Sequence, residues 1–145
     1  MDSETNLQKF LDAQQKHFEP ALSEIQNGKK QSHWMWFIFP QIRGLGFSET
    51  SKYYAIRDKQ EAEAFLKHPV LGKRLTAICH ALLEQPDHNA NRIFGSPDDL
   101  KLKSSMTLFA SAHNTDPVFQ SVLDKFFGGA MDKRTLEIIQ AQKKA

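Results

Sequence analysis

Leu7, Phe10, Leu11, Phe18, Leu22 and Ile25 recur at the intervals that place side chains on one helical face. Thr5 and Gln8 form a capping-box pair ahead of them, and Gly28 supplies a stop. Pro20 lies inside this run and is expected to kink or split the helix, because its ring crowds the preceding turn and it has no N–H to donate. The same spacing returns at Ala62, Phe65 and Leu66 behind Asp58 and Glu61, in a helix that ends before Pro69. Val70, Leu71, Leu75, Ile78, Leu82 and Leu83 line the next, closed near Pro86.

Asn89 caps a short turn over "ANRIF" that ends at Gly95. "SPDD" then puts Ser96 in the capping position, Pro97 at the first helical position and Asp99 three residues after the cap, ahead of Met106 and Phe109. "TDP" repeats that arrangement from Thr115 to Pro117, before Val118, Val122, Leu123, Phe126 and Phe127, with Gly128 and Gly129 as the stop. Asp132 caps a last helix holding Leu136 and Ile139, which is expected to fray into "QAQKKA". The pattern therefore predicts an all-α single domain over residues 1–145, a compact bundle of about six to eight helices. Only 33–39 stays open. Its aromatic and β-branched residues suit a strand, while Ser32 and Pro40 bracket a short buried helix equally well.

Composition narrows the function more than the fold. Apolar residues make up 40% of the 145 and charged residues 25%, which excludes a disordered chain. A net charge of +2 argues against a nucleic-acid partner. The longest apolar run, Trp34 to Pro40, is too short to span a bilayer, and the acidic start "MDSETNLQKF" is no signal peptide, so no membrane partner and a cytoplasmic location are expected. The six histidines show no three- or four-residue pairing, so no metal site is expected. No cofactor is expected either: there is no Walker loop, and Gly44-Leu45-Gly46 lacks the third glycine of a dinucleotide fingerprint. Cys79 shares helical spacing with Leu75, Ile78 and Leu82, which reads as inert core.

The charge is unevenly distributed. Residues 1–28 hold five acids against two lysines, whereas residues 29–57 hold five bases against Glu49 alone. That basic stretch contains "SHWMWFIFPQIRGLGFSETS", residues 32–51. Closely spaced glycines let backbone N–H groups approach an anion, and an arginine adds a bidentate clamp for phosphate or carboxylate. Gln41, Arg43, Gly44, Gly46 and Ser48 thus form a candidate loop for an anionic small-molecule ligand, with Trp34 or Trp36 as a stacking face. His33 or Asp99 would supply proton transfer if chemistry follows binding. A rival reading makes residues 33–47 the anchor of a protein-interaction module.

These residues also carry a resemblance. "KQSHWMWFIFPQIRGLGFSETS", "HPVLGKRL", "IFGSPDDLKLKSSMTLFA" and "LDKFFGG" resemble the domain-of-unknown-function family 1810, over nearly the whole chain from "LQKFLDAQ" to "TLEII". The resemblance implies a single, mainly α-helical domain found chiefly in bacteria, and it attaches no activity. A looser similarity of style, without a diagnostic motif, is to the helical NADAR group, whose members act on ADP-ribose-type glycosidic bonds. Together they direct a ligand search toward nucleotide-like phosphates of the ADP-ribose or NAD type, with hydrolysis or transfer as the accompanying reaction. The most distinctive phrases of the family pattern favour a shared pocket in which His33, Gln41, Arg43, Asp99, Lys101 and Ser105 converge.

Overall fold

The computed structural model describes residues 2–144, with side chains from 7 to 143. Among these residues nine helices follow one another: α1 (Asp2–Gln26), α2 (Met35–Ile38), α3 (Glu49–Tyr54), α4 (Lys59–Lys67), α5 (Leu71–Glu84), α6 (Ala90–Phe94), α7 (Asp98–Ala110), α8 (Val118–Phe127) and α9 (Lys133–Lys144). The count exceeds the expected six to eight because α2, α3 and α6 span only four, six and five residues. The open choice at 33–39 resolves as helix: Ile38 N–H donates to the Trp34 carbonyl and Phe39 N–H to that of Met35.

Two helices form the middle. α5 packs against α1, α4 and α8, and α7 packs against α4, α6, α8 and α9. Around α7 the chain is buried on nearly every side, from Leu102 through Ser104 to Phe109. α1 contributes the stripe Leu7, Phe10, Phe18, Ala21 and Ile25, as its periodicity requires. Gln14 also belongs to that stripe. It is buried but satisfied, donating 2.8 Å to the Phe37 carbonyl and accepting from Arg74 at 3.4 Å.

Several local expectations meet corrections. α1 runs unbroken through Pro20, which sits on its exposed face, where water can take the carbonyl that proline leaves unpaired. The helix already begins at Asp2, so Thr5 lies inside it, and its side chain falls outside the described residues. Ser96 does not cap α7, which opens at Asp98 after a cis Ser96–Pro97 bond, and the Asp99 N–H donates to the Gly95 carbonyl instead. At α8 the capping position falls to Pro117, with the Asp116 carboxylate just ahead of it accepting from Val118 N–H at 2.8 Å, while the Thr115 hydroxyl donates to the Phe109 carbonyl. α9 continues helical to Lys144 rather than fraying. Asn89, Asp58 and Asp132 do cap α6, α4 and α9.

Candidate functional site: a basic groove and a polar cleft

The basic, aromatic stretch divides into two parts with opposite fates. In the first, polar groups bond one another. The Glu24 carboxylate accepts from Gln31 N–H, Ser32 N–H, the Ser32 hydroxyl and, at 2.9 Å, the Trp34 indole. Burial alone would raise its pKa, but these four donors outweigh it and hold the carboxyl at about 2. Lys30 pairs with Asp98 at 2.9 Å, donates to the Ser32 carbonyl and sits 5.0 Å from the Trp34 ring centre. Trp34 itself is fully buried against Phe39 and Phe94.

The second part leaves the Gln41 and Arg43 side chains open among the described residues. An isolated parallel bridge joins Ile42 to Ile56, with Arg43 N–H donating to the Ile56 carbonyl and Ile56 N–H to that of Gln41. Ile42 and Ile56 are buried, so the bridge fixes the loop while Gln41 and Arg43 flank it. The two glycines that follow are required by packing. Gly44 adopts φ +109° and lies against Ile138 of α9, and a Cβ on Gly46 would fall 2.4 Å from the Cβ of Ser51.

On one side of this loop is a groove of about 620 Å³. Arg43 of the loop, Arg57 before α4, Lys59 at the start of α4 and Lys143 near the end of α9 line it, with Asp58 the acidic member. Arg57 pairs with Asp58 at 3.4 Å, and the Asp58 side chain also caps α4. Arg43, Lys59 and Lys143 have no acidic partner among the described residues. The groove is braced by Gln142, which donates 3.0 Å to the Arg57 carbonyl and so ties the end of α9 to the bridge. Arg43 also acts on Lys9 of α1. Its pKa is lowered by burial, and Arg43 pushes the same way while Glu61 opposes them.

On the other side, the loop faces α7 and the start of α9 across a cleft of about 240 Å³. Gln41, Gly46 and Ser51 form one wall, and Lys101, Ser104 and Arg134 the other. A hole of about 30 Å³ under the loop shares Gln41, Gly46 and Ser51 with the cleft and is bounded by Trp36 and Arg43. Among the described residues two buried side-chain polar atoms lack a hydrogen-bond partner, and both belong to the sequence-predicted set: Trp36 Nε1 and Ser105 Oγ.

The predicted residues therefore separate. Trp36, Gln41, Arg43, Gly44 and Gly46 surround the hole, and Gln41, Gly46 and Lys101 meet in the cleft. Ser105 lies one helical turn beyond Lys101, fully buried. Trp34 is not available as a stacking face, because the core encloses its ring. Ser48 is the cap of α3, accepting from Ser51 N–H at 3.1 Å. His33 is exposed and lines neither cavity. Asp99 accepts from the Asn91 amide at 3.3 Å and from Leu100 N–H, away from both. Among the described residues no three His, Cys, Asp or Glu are grouped to hold a metal, and none of the helices is long and apolar enough to cross a membrane.

Sequence reasoning missed Lys59 and Lys143 because their meeting depends on where α9 ends. It also missed Lys125, whose ammonium donates to the carbonyls of Leu82, Leu83 and Gln85 and closes the C-terminus of α5. Lys30 was counted with the anion-binding bases, but its charge is taken by Asp98.

The fold has a solved counterpart. The crystal structure of the conserved hypothetical protein Rv1873 from Mycobacterium tuberculosis is 41% identical, with a TM-score of 0.91, over 93% of this chain and 96% of that one. No curated protein matches the chain. The family described as "Protein of unknown function (DUF1810)" matches residues 4–139. The chain belongs to that family.

Proposed function

We propose that this protein binds a phosphorylated small molecule in the groove at Arg43. One observation carries the reading: four cations from three separate segments face one groove, and three of them have no acidic partner among the described residues. Unpaired cations repel one another, and a bound phosphate relieves that repulsion. A volume of about 620 Å³ lies within the range of small-molecule sites, large enough for a nucleotide-sized ligand. No aromatic side chain lines the groove, so recognition rests on phosphate groups rather than on a stacked base. His33 and Asp99 stand away from it, which favours binding over hydrolysis or transfer. The interaction-module alternative has less support, since of the tryptophans and phenylalanines in 33–47 only Phe47, 87% accessible, is exposed.

Calorimetric titration with pyrophosphate and with orthophosphate tests this. Pyrophosphate is expected to bind more tightly, and Arg43→Ala to weaken it about tenfold or more, the effect of losing a charge-assisted hydrogen bond. Equal affinity in the wild type and Arg43→Ala, or no binding to the wild type, contradicts the reading.

A further inference from the structure

We propose that the ligand of the Arg43 groove carries an aliphatic chain, and that this chain lies in a second groove along α9. The inference rests on the phosphate reading above and names what the phosphate is attached to. The second groove, of about 730 Å³, is bounded by α9, by Lys59 at the start of α4 and by Ser111 just past α7. Lys59, Ile139 and Lys143 line both grooves, so the two meet there.

The lining of the second groove differs in kind from that of the first. Leu136, Ile139 and Lys143 follow at i, i+3 and i+7, on one face of α9, with the exposed Ala141 beside them. A single exposed leucine is ordinary. Here, though, Leu136 is 39% accessible next to an aliphatic neighbour, and the polar groups around it need no ligand. The Ser111 hydroxyl already donates to the Thr107 carbonyl at 2.8 Å, and Glu137 pairs with Arg134 at 3.8 Å. Lys133 and Gln140 are exposed to water.

The junction gives the ligand its polarity. Lys59 and Lys143 have no acidic partner among the described residues. A lysine at such a boundary lays its hydrocarbon stem on apolar surface and keeps its ammonium with the charged group. An anionic head thus belongs toward Arg43 and Arg57, and an apolar tail toward Leu136. From Leu136 to Lys143 the helix rises about 10 Å, room for a chain of roughly six carbons. No aromatic side chain lines either groove, so neither offers a stacking face to a nucleobase. An extended polyanion fits less well, because beyond the junction the groove holds one further cation, Lys133, and the acid Glu137.

Methyl diphosphate and hexyl diphosphate, titrated calorimetrically into the full chain below micelle-forming concentrations, test this. Hexyl diphosphate should bind about tenfold more tightly, the gain from covering part of a six-carbon chain. Leu136→Ser and Ala141→Trp, the second of which fills the groove, should each abolish that preference and leave methyl diphosphate unaffected. Arg43→Ala should weaken both compounds. Equal affinity for the two in the wild type, or a preference that survives both groove substitutions, overturns the aliphatic chain and leaves the phosphate groove standing. If neither compound binds, the phosphate reading falls and this inference with it. Vesicles of phosphatidylcholine with and without phosphatidic acid separate a free ligand from a membrane surface. Sedimentation with the acidic vesicles alone, and no preference for hexyl diphosphate, overturns the proposal. So does a ligand-free dimer in ultracentrifugation that Leu136→Ser dissociates, since a second copy would then cover the groove.

Discussion

Residues 30–34 and 36–43 adjoin in the chain and have opposite roles. In the first stretch Lys30 has Asp98, the Ser32 hydroxyl has Glu24, and the Trp34 indole has Glu24. In the second, Gln41 and Arg43 bond nothing through their side chains among the described residues, and Trp36 just ahead of them keeps an unpaired N–H. A lysine beside a tryptophan is thus a structural latch in one place, and an arginine beside a glycine loop is an open charge in the next. Residue type does not separate the two cases. What separates them is whether the rest of the chain delivers a partner, and Asp98 arrives from a helix that begins far along the sequence.

The largest expected effect breaks the latch. Glu24→Ala leaves the Trp34 indole, two backbone N–H groups and a hydroxyl without their acceptor, and is expected to destabilise by about 3 kcal/mol. The midpoint of chemical denaturation reads this, while the Arg43 groove should still bind pyrophosphate.

A smaller effect comes from protonating the same carboxylate. Its folded pKa of about 2 lies below the ordinary glutamate value of 4.5, so the stabilisation is fully present above pH 4.5 and lost as the pH falls through about 2. Partial exposure and screening reduce the contribution to about 1–2 kcal/mol. Denaturation midpoints at pH 6 and pH 3 should show the wild type losing more stability than Glu24→Gln. Parallel losses contradict the latch.

Smallest, and opposite in sign, is Ser105→Ala. Removing a buried hydroxyl that bonds nothing, in the interior of α7, should leave stability unchanged or raise it by about 0.5–1 kcal/mol. A loss of more than about 1 kcal/mol in thermal unfolding means that the hydroxyl has an internal partner.

The contrast also shows what a single sequence can reveal. Helices with a local signature were legible: Asp58 with Glu61, Asn89, Asp132, and the stop at Gly128 and Gly129 all use bonds or backbone angles within a few residues. Ser96 misled because the Gly95 carbonyl takes the Asp99 N–H, and Pro20 because its cost is small on a solvent face. Part of the lining of the candidate site was legible as well. Gln41, Gly46 and Lys101 do share a cleft, and Arg43 does face open space. The remainder was hidden by distance. The groove needs Ile42 paired to Ile56, and Gln142 bonded to the Arg57 carbonyl, before Lys59 and Lys143 come near Arg43. Nothing near those lysines in the chain announces it.

The account stands on the claim that the open half of the stretch binds while the bonded half only holds the fold. Thermal unfolding of the wild type and Arg43→Ala, each with and without pyrophosphate, tests that most directly. Without ligand the two should melt within about 1 °C, since Arg43 is exposed and makes no bond through its side chain among the described residues. At about 100 times the dissociation constant, pyrophosphate should raise the wild-type midpoint by roughly 5–10 °C and leave Arg43→Ala almost unmoved. A wild-type midpoint that pyrophosphate does not raise, or an equal rise in both proteins, would contradict the claim.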